Sequence, residues 1–397
     1  MLIANINFHI YEPVINNPGC GQCHFAILDY ICDMYLKRIL ISNFKNIEEA
    51  QLEFSRKINC ISGNNGEGKT NLLDAIYYLS MTKSFFSSTD AYTFKFGEDA
   101  TAVNGSYVNE DNTEDSISIG VKREGEKVVK KNAKVYKRIA EHIGQFPIVM
   151  VSPADTVLVN GSGEERRKFL TLILSQIDKE YLKRMQSYNQ LLLQRNKLLK
   201  MQNLSGELLE TIDFQMSVHA DYIYRKRDEL CKSLIERVKG YYSALSGSKE
   251  EIALEYISDL QEGSLDKLLE ANKERDCFLK FTSVGIHKDD IEFSMNGMPL
   301  KKCGSQGQQK SFLVALKLAQ FEIMKTLHRT APILLLDDVF DKLDMQRVEY
   351  LLQLVASDAF GQIFISDSNK VRMANIVERF TSECSSFEVT NGVYSKL

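Results

Sequence analysis

The alternation of apolar and polar residues divides the chain into strand-like and helix-like segments. Apolar runs and strict alternation, the patterns of buried and half-buried strands, occur in the first 150 residues and again near the C-terminus. Strands are predicted at 36–47, 50–54, 58–61, 101–108, 116–123, 127–131, 146–151, 291–295, 298–301, 333–338 and 361–367, the last being the final parallel-type strand. Asn296-Gly297 predicts a hairpin turn between the strands at 291–295 and 298–301. Because Glu124-Gly125-Glu126 makes a short turn between two of them, an antiparallel sheet is predicted beside the parallel strands.

Apolar residues at helical spacing predict helices between these strands. One pattern ends near Met81, and another begins near Phe312 and precedes the strand at 333–338. From Glu164 to about Leu269 the pattern is helical, and the segment 178–201 would span roughly 35 Å as a single helix. That length predicts a compact helical lobe and not a long coiled-coil arm.

Domain boundaries follow from these patterns. An α/β head is predicted at 34–160 and 275–397, with the helical lobe inserted at 161–274. Residues 1–33 contain no Lys or Arg, so they do not resemble a secretory signal, and we expect an extension outside the fold. Within it, Cys20-Gly21-Gln22-Cys23-His24 matches a haem-attachment pattern, and Cys20, Cys23, His24 and Cys32 could instead bind zinc.

Composition restricts the classes of function. The chain of 397 residues has a formal net charge of −4, so any nucleic-acid site must be a local basic patch. No apolar run approaches the length of a membrane span, and no membrane contact is expected. Eight cysteines scattered through a large chain indicate a reducing compartment, and we expect a cytoplasmic location.

A phosphate-binding loop is the clearest chemical motif. The residues Gly63, Asn64, Asn65, Gly66, Glu67, Gly68, Lys69 and Thr70 fit G-x-x-x-x-G-K-[ST]. A buried strand precedes them and a helix follows, as the motif requires. Backbone N–H groups and the helix N-terminus would face the phosphates, Lys69 would reach the β- and γ-phosphates, and Thr70 would ligate Mg²⁺. The alternative is a glycine turn before an ordinary helix.

Two carboxylates, Asp337 and Asp338, end the apolar run that begins at Ile333. In phosphate-loop enzymes the first carboxylate holds Mg²⁺, and the second orients or deprotonates the attacking water. A capped core strand would show the same local pattern. The phosphate loop upstream favours the magnesium interpretation.

Basic clusters mark the predicted helical lobe. Candidate DNA contacts are Arg195, Lys197 and Lys200 in one cluster and Arg225, Lys226 and Arg227 in another. Solvated helix faces carry similar clusters, and that alternative stays open.

Several segments together resemble the RecF family. They are Gly63 to Ile76 (Walker A region), Ser152 to Asp155 with Glu165 to Leu170, Gly285 to Asp290, Ser305 to Lys310 (ABC-type signature), Leu334 to Asp338 (Walker B) and Val339 to Asp344 (D-loop). They occur in the family's order from Met34 to the C-terminus. Ile286 and Lys288 depart from a family block usually written G-P-H-R-D-D.

The resemblance implies an ABC-type P-loop ATPase head with a mixed sheet, an antiparallel β-subdomain and an inserted helical lobe. It implies ATP and Mg²⁺ as cofactors, an ATP-dependent homodimer, and Ser305 and Gly307 completing the site of the opposite subunit. The implied role is recombinational repair and replication-fork maintenance on single- and double-stranded DNA at gaps, with RecR and RecO as partners. Ser366 and Asp367 stand where many ABC ATPases have a switch histidine, which suggests slow hydrolysis.

Other classes remain open at this point. A long-armed chromosome-organising ATPase of the SMC type is disfavoured by the short helical insert. A small-molecule kinase would explain the phosphate loop, but it would leave the signature segment, the D-loop and the basic lobe unexplained. Ser305 could also be a plain helix cap.

Overall fold

The strands and helices of the N-terminal and central parts follow the apolar pattern. The structure is a computed structural model that describes residues 34–201, 206–247, 250–328, 330–340, 345–355, 357, 359–379 and 383–397. The strands are β1 (Tyr35–Phe44), β2 (Ile47–Glu53), β3 (Ile58–Ser62), β4 (Ala100–Val108), β5 (Glu114–Lys122), β6 (Lys127–Lys131), β7 (Lys134–Val135), β8 (Ile148–Val151), β9 (Ile252–Ile257), β10 (Asp290–Met295), β11 (Met298–Pro299), β12 (Ile333–Asp337), β13 (Ile363–Asp367), β14 (Cys384–Thr390) and β15 (Val393–Lys396). The helices are α1 (Lys69–Met81), α2 (Val157–Asn160), α3 (Gly163–Ile177), α4 (Lys179–Leu198), α5 (Gly206–Ser246), α6 (Leu265–Ala271), α7 (Lys273–Leu279), α8 (Leu300–Cys303), α9 (Gln306–His328), α10 (Met345–Val355) and α11 (Lys370–Arg379).

Two sequence predictions fall on parts of the chain outside the described residues. One is the extension at 1–33 with its haem and zinc patterns, and the other is the greater part of the D-loop, residues 341–344. Within the described part of the chain, no helix is both long and apolar enough to cross a membrane.

A mixed sheet with the strand order β15-β14-β3-β13-β12-β8 separates two hydrophobic cores. The strands from β14 to β8 are mutually parallel, and β15 is antiparallel to β14. Ile61 and Phe364 face a core that includes α1, whereas Cys60 and Ile363 face a core that includes α9. Strands buried on both faces are typical of parallel sheets covered by helices.

Helix α1 lies between the mixed sheet and an antiparallel sheet with the order β2-β1-β4-β5-β6-β7. Leu72, Ile76 and Leu79 of α1 are fully buried and share a core with Ile39 and Val103 of the antiparallel sheet. Burying side chains of this size contributes about 1.5–3 kcal/mol each. The helix that carries the phosphate loop at its N-terminus is therefore held from both sides.

The carboxyl ends of three neighbouring parallel strands meet at one edge of the mixed sheet. The phosphate loop follows β3, Asp337 ends β12, and Asp367 ends β13. Ligands of open α/β sheets bind outside the carboxyl ends of the strands. The topology thus collects the predicted phosphate and magnesium residues at this edge.

Four element predictions were wrong in detail. The strand predicted at 36–47 contains the turn between β1, which ends at Phe44, and β2, which begins at Ile47. The segment Ile252–Ile257 is strand β9, not helix, because its apolar residues alternate and it pairs with β10. β13 is not the last parallel strand, since β14 lies beyond it in the chain and pairs in parallel with β3. The predicted second strand of the Asn296-Gly297 hairpin ends at Pro299, where α8 begins.

The insert between β8 and β10 is otherwise largely helical. α4 and the 41-residue α5 pack against each other, and α5 also packs along α9. Because β9 pairs with β10, one sheet crosses the predicted boundary at 274/275. The division into a head and a lobe remains a prediction.

Arg195 lies inside the helical insert, which contradicts its prediction as a DNA contact. Its side chain is 0% exposed. Its guanidinium donates to Asp213 at 2.6 Å, to Asp276 at 2.6 Å and to Thr282 at 2.9 Å. A guanidinium with these partners connects α4, α5 and α7, and it cannot reach a phosphate outside the fold.

The prediction that Arg227 contacts DNA is wrong for the same reason. It is 1% exposed and donates to Asp289 at 2.7 Å, to the carbonyl of Ile286 at 2.8 Å and to the Tyr181 hydroxyl at 3.1 Å. Charged side chains are rarely buried unless they are paired, and both arginines satisfy that condition. Lys197, Lys200 and Arg225 remain exposed, and Lys226 is half-buried.

We expect Arg195→Ala to lower the free energy of unfolding by about 3–5 kcal/mol, because it leaves the buried Asp276 and the part-buried Asp213 without their cation. Denaturant unfolding monitored by circular dichroism measures this loss. Lys197→Ala on the same helix removes an exposed charge and should change the stability by less than about 0.5 kcal/mol. Equal stabilities of the two variants would contradict a structural role for Arg195.

Candidate nucleotide-binding site

The phosphate loop runs from the end of β3 to the start of α1. Gly66 and Gly68 have φ values of +86° and +122°, a region that side chains with a Cβ rarely adopt. A Cβ at Gly68 would also lie 2.9 Å from the Asn46 amide nitrogen. Glycine is therefore required at this position for both conformation and space.

The Lys69 side chain curls back over the loop. It is 3% exposed, and its ammonium donates to the carbonyls of Gly63 at 2.9 Å and Asn64 at 3.1 Å. The side-chain oxygen of Asn65 lies 3.5 Å away. The ammonium therefore lies against the loop backbone. From this position it can donate its hydrogen bonds to phosphate oxygens in place of the loop carbonyls.

Asp337 is the buried centre of a hydroxyl cluster. It is 3% exposed, and its carboxylate accepts from the Thr70 hydroxyl at 2.9 and 3.1 Å. Ser366 donates to it at 2.7 Å and Ser152 at 3.4 Å. Burial raises the pKa of the Asp337 carboxyl, although the hydroxyls and the Lys69 charge oppose that shift. One carboxylate with neighbouring hydroxyl oxygens fits Mg²⁺, which usually keeps several waters and binds phosphates as well.

Asp338 has an unusual backbone. Its φ is +45°, in the left-handed region, and its N–H points to the Ser366 carbonyl and hydroxyl, both at 3.2 Å. Non-glycine residues in this region cost free energy and cluster at functional sites. The conformation turns the chain sharply after β12, so that Asp337 is the last strand residue and Asp338 lies outside the strand.

The structure brings Lys69, Thr70 and Asp337 together as predicted, and it adds two serines to the site. Sequence analysis placed Ser152 only in a family block and Ser366 only at the place of a missing histidine. Ser152 follows β8, and Ser366 is the last residue but one of β13. Both strands are parallel neighbours of β12. The sequence did contain a usable signal: a serine at the carboxyl end of a strand can reach a carboxylate at the end of the neighbouring strand.

Ser305 lies at the start of α9, apart from these residues. Its hydroxyl accepts from the Gln308 N–H at 3.3 Å, and the Gln308 side chain accepts from the Ser305 N–H at 2.8 Å. This reciprocal pair is a capping box. Ser305 is exposed, and a Cβ at Gly307 would meet the Arg347 side chain at 3.3 Å. No hydrogen bond joins Ser305 to the phosphate loop within the described residues, so the cap is its observed role.

Comparisons with known proteins identify the family to which the chain is similar. The family model described as RecF/RecN/SMC N terminal domain matches residues 35–384. A DNA replication and repair protein RecF from Bacteroides thetaiotaomicron is 44% identical over 365 residues, which cover 92% of this chain and 99% of that protein. The RecF of Azobacteroides pseudotrichonymphae is 46% identical and is covered over its full length.

The chain belongs to the RecF family. A solved structure described as the recombination mediator protein RecF-ATP in the RecFOR pathway superposes with a TM-score of 0.84 at 31% identity, covering 95% of this chain and all of that chain. A related RecF-ATPrS structure has a TM-score of 0.81. The predicted ABC-type P-loop ATPase head is confirmed as the fold.

A weaker likeness concerns the SMC alternative. The Smc head domain from Pyrococcus furiosus superposes with a TM-score of 0.54 at 17% identity, which supports a shared fold alone. The long-armed alternative is therefore less supported than membership of the RecF family.

The backbone of Asp338 generates a prediction about stability. We expect Asp338→Asn to fold as stably as the natural chain, because Asn tolerates the left-handed region. Asp338→Val should lose at least about 1 kcal/mol, since a β-branched residue is strained there. Chemical unfolding of the two variants measures the difference. Asp338→Val with unchanged stability would show that the turn relaxes to another conformation.

Proposed function

We propose that this chain is an ATP-dependent DNA-binding protein of recombinational repair and replication-fork maintenance that hydrolyses ATP slowly. The observation that carries the proposal is the convergence of Lys69, Thr70 and Asp337 at one sheet edge in a RecF family member. The similar solved structures are described as RecF with ATP and with ATPrS, which supports ATP as the nucleotide.

Each residue of the site has a proposed role. Gly63 to Thr70 surround the phosphates, and Lys69 supplies a charge-assisted hydrogen bond to them. Thr70 and Asp337 hold Mg²⁺, the group that neutralises charge on the phosphate oxygens during transfer. Asp338 accepts a hydrogen bond from the attacking water and orients it. Ser366 holds both carboxylate residues in place through its hydroxyl and carbonyl.

The signature segment completes the site in a second subunit. Ser305 is exposed and immediately precedes the 23-residue helix α9, so its hydroxyl and the nearby N–H groups form an anion-binding surface. We place Ser305 and Gly307 against the γ-phosphate bound by the partner chain. ATP then bridges two subunits, whereas ADP lacks the bridging group, and dimerisation follows the nucleotide state.

DNA binding uses exposed cations of the helical insert. The chain carries a net charge of −4, so a local patch must supply the attraction to phosphate. Lys197 lies in the last turn of α4 and Lys200 follows it, whereas Arg225 and Lys226 lie near the start of α4, where Tyr222 donates to Asp178. At 1.5 Å per residue the two pairs lie on the order of 27 Å apart, so they are separate candidates. RecR and RecO are the proposed protein partners, in keeping with the RecFOR pathway printed for the similar structures.

Sedimentation with ATP tests the nucleotide site and the shared dimer together. We expect Lys69→Ala to lose ATP binding and, with it, the dimer. Ser305→Arg should bind ATP as a monomer but fail to dimerise, because a bulky cation replaces a small donor at the interface.

Ser305→Asp is the matched control for the helix cap. Asp is as good a cap as Ser, so α9 should keep its stability. The added negative charge opposite the γ-phosphate should still abolish the ATP-dependent dimer. A Ser305→Asp protein that dimerises normally with ATP would reduce Ser305 to a helix cap and would contradict the shared site.

DNA affinity at several salt concentrations tests the two basic pairs. We expect the double variant of one pair, Lys197→Ala with Lys200→Ala or Arg225→Ala with Lys226→Ala, to weaken binding irrespective of DNA sequence. The slope of log affinity against log salt should fall by about 2 for that pair. Arg195 and Arg227 are left unchanged because their loss would destabilise the fold.

Lys122→Ala, which removes an exposed lysine of the antiparallel sheet, serves as the control. If neither double variant differs from this control at moderate salt, the helical insert is not the DNA face.

A further inference from the structure

The outer side of the phosphate loop is held by two β-turns that no nucleotide-binding motif includes. The Glu67 carbonyl accepts from the side-chain amide of Asn46 at 3.2 Å and from the N–H of Gly392 at 2.8 Å. The Glu67 carboxylate accepts from the N–H of Asn391. The Gly68 carbonyl accepts from the Tyr394 hydroxyl at 2.9 Å. Asn46 lies in the β1–β2 turn, and the other three residues belong to the β14–β15 hairpin.

These contacts control the direction of the loop's N–H groups. A peptide group is planar, and its C=O and N–H point in opposite directions. A fixed Glu67 carbonyl therefore fixes the Gly68 N–H, and a fixed Gly68 carbonyl fixes the Lys69 N–H. In a phosphate loop these are the groups that surround the phosphates. The Gly68 carbonyl also accepts from the N–H groups of Asn71 and Leu72 in the first turn of α1. Hydrogen bonds on the outer side of the loop, together with those of α1, thus determine how well its inner side fits an anion.

The β14–β15 hairpin is built to hold this position. Asn391 and Gly392 have φ values of +50° and +79°, and they join the paired residues Thr390 and Val393. Asn-Gly with both φ values positive is the favoured two-residue hairpin turn. A Cβ at Gly392 would lie 2.7 Å from the Asn46 carbonyl oxygen, so the two turns are in close contact.

Two further contacts extend the hairpin's hold on the loop. A Cβ at Gly63, the first residue of the loop, would lie 2.6 Å from the carbonyl oxygen of Val389 in β14. The Tyr394 ring packs against the core that contains α1, and burial raises the pKa of its hydroxyl, which stays protonated and able to donate. The hairpin therefore borders the loop from Gly63 to Gly68.

We propose that the β14–β15 hairpin, through Tyr394 and the Asn391-Gly392 turn, and Asn46 from the β1–β2 turn position the phosphate loop for nucleotide binding. Tyr394 and Asn46 are positioning residues, since they contact the loop and not the phosphates. The inference rests on the proposed function, because it assigns these residues to the same ATP site. The family match ends at residue 384, so nearly the whole hairpin lies beyond it.

Tyr394→Phe is the sharpest test, because it removes one hydroxyl and keeps the packed ring. We expect the dissociation constants of ATP and of ADP, each measured by calorimetry on the full chain, to rise by about twofold to tenfold, the value of one net hydrogen bond. Both nucleotides should be affected alike, since the loop N–H groups bind phosphates that ATP and ADP share. A defect confined to dimerisation would weaken ATP alone.

Tyr222→Phe is the matched control. It removes a hydroxyl that donates to Asp178 at 2.8 Å in the helical insert. Its effect should be confined to stability, with both dissociation constants unchanged. A general loss of stability in Tyr394→Phe without a change in affinity would overturn the proposal.

Asn46→Ala provides a second test that does not require the Tyr394→Phe protein to fold correctly. It removes the donor to Glu67 and the acceptor of the Asn71 amide at 2.7 Å. We expect weaker binding of both nucleotides, and a double variant with Tyr394→Phe that differs from the sum of the single effects, because both act on one loop. Strict additivity, or unchanged affinity in either single variant, would contradict a shared positioning role.

Lys69→Ala separates this inference from the proposed function. If Lys69→Ala loses nucleotide binding while Tyr394→Phe and Asn46→Ala retain full affinity, the ATP site stands and the positioning role is wrong. If Lys69→Ala retains full affinity, the nucleotide binds elsewhere and both proposals are wrong.

Discussion

The buried carboxylate of Asp337 is the constraint around which the site is assembled. A carboxylate that is 3% exposed must be compensated by hydrogen bonds or a cation, because an uncompensated buried charge is costly. Thr70, Ser366 and Ser152 supply hydroxyls from three different elements, and these elements therefore have to meet at the end of β12. The same hydroxyls and carboxylate form an oxygen-rich site suited to Mg²⁺. The hydroxyls that stabilise the buried Asp337 carboxylate are therefore the same groups that are proposed to surround Mg²⁺.

Several layers of structure support that edge. The mixed sheet is apolar on both faces, and it needs α1 with the antiparallel sheet on one side and α9 with the helical insert on the other. α1 begins at the phosphate loop, and α9 begins at the signature segment. Each motif thus lies at the N-terminus of a helix whose body is buried in a core. This arrangement gives both motifs a rigid base while their N-terminal N–H groups remain directed outwards.

The helical insert illustrates how a basic side chain can serve the fold. Arg195 and Arg227 each connect helices to loops through several hydrogen bonds to buried or part-buried acceptors. Their sequence neighbours Lys197 and Arg225 are exposed. On a helix, positions two residues apart lie about 200° apart around the axis, so a cluster that is continuous in sequence divides between the interior and the surface. Only the exposed members remain available to a DNA backbone.

The sequence by itself determined the phosphate loop, the paired carboxylates, most strands of the antiparallel sheet and the family, because each depends on local residue order or spacing. Residues 63–70 and 337–338 carry that information in a few consecutive positions. Tertiary structure decided which members of the basic clusters are buried, that Ile252–Ile257 is a strand, and that Ser152 and Ser366 join the site. It also decided that Asn46 and Tyr394, 348 positions apart in number, meet at one loop. The Asn391-Gly392 dipeptide predicts a turn from sequence alone. Its contact with the phosphate loop could not be predicted, because the pairing of β14 with β3 is set by packing between distant segments and not by local sequence.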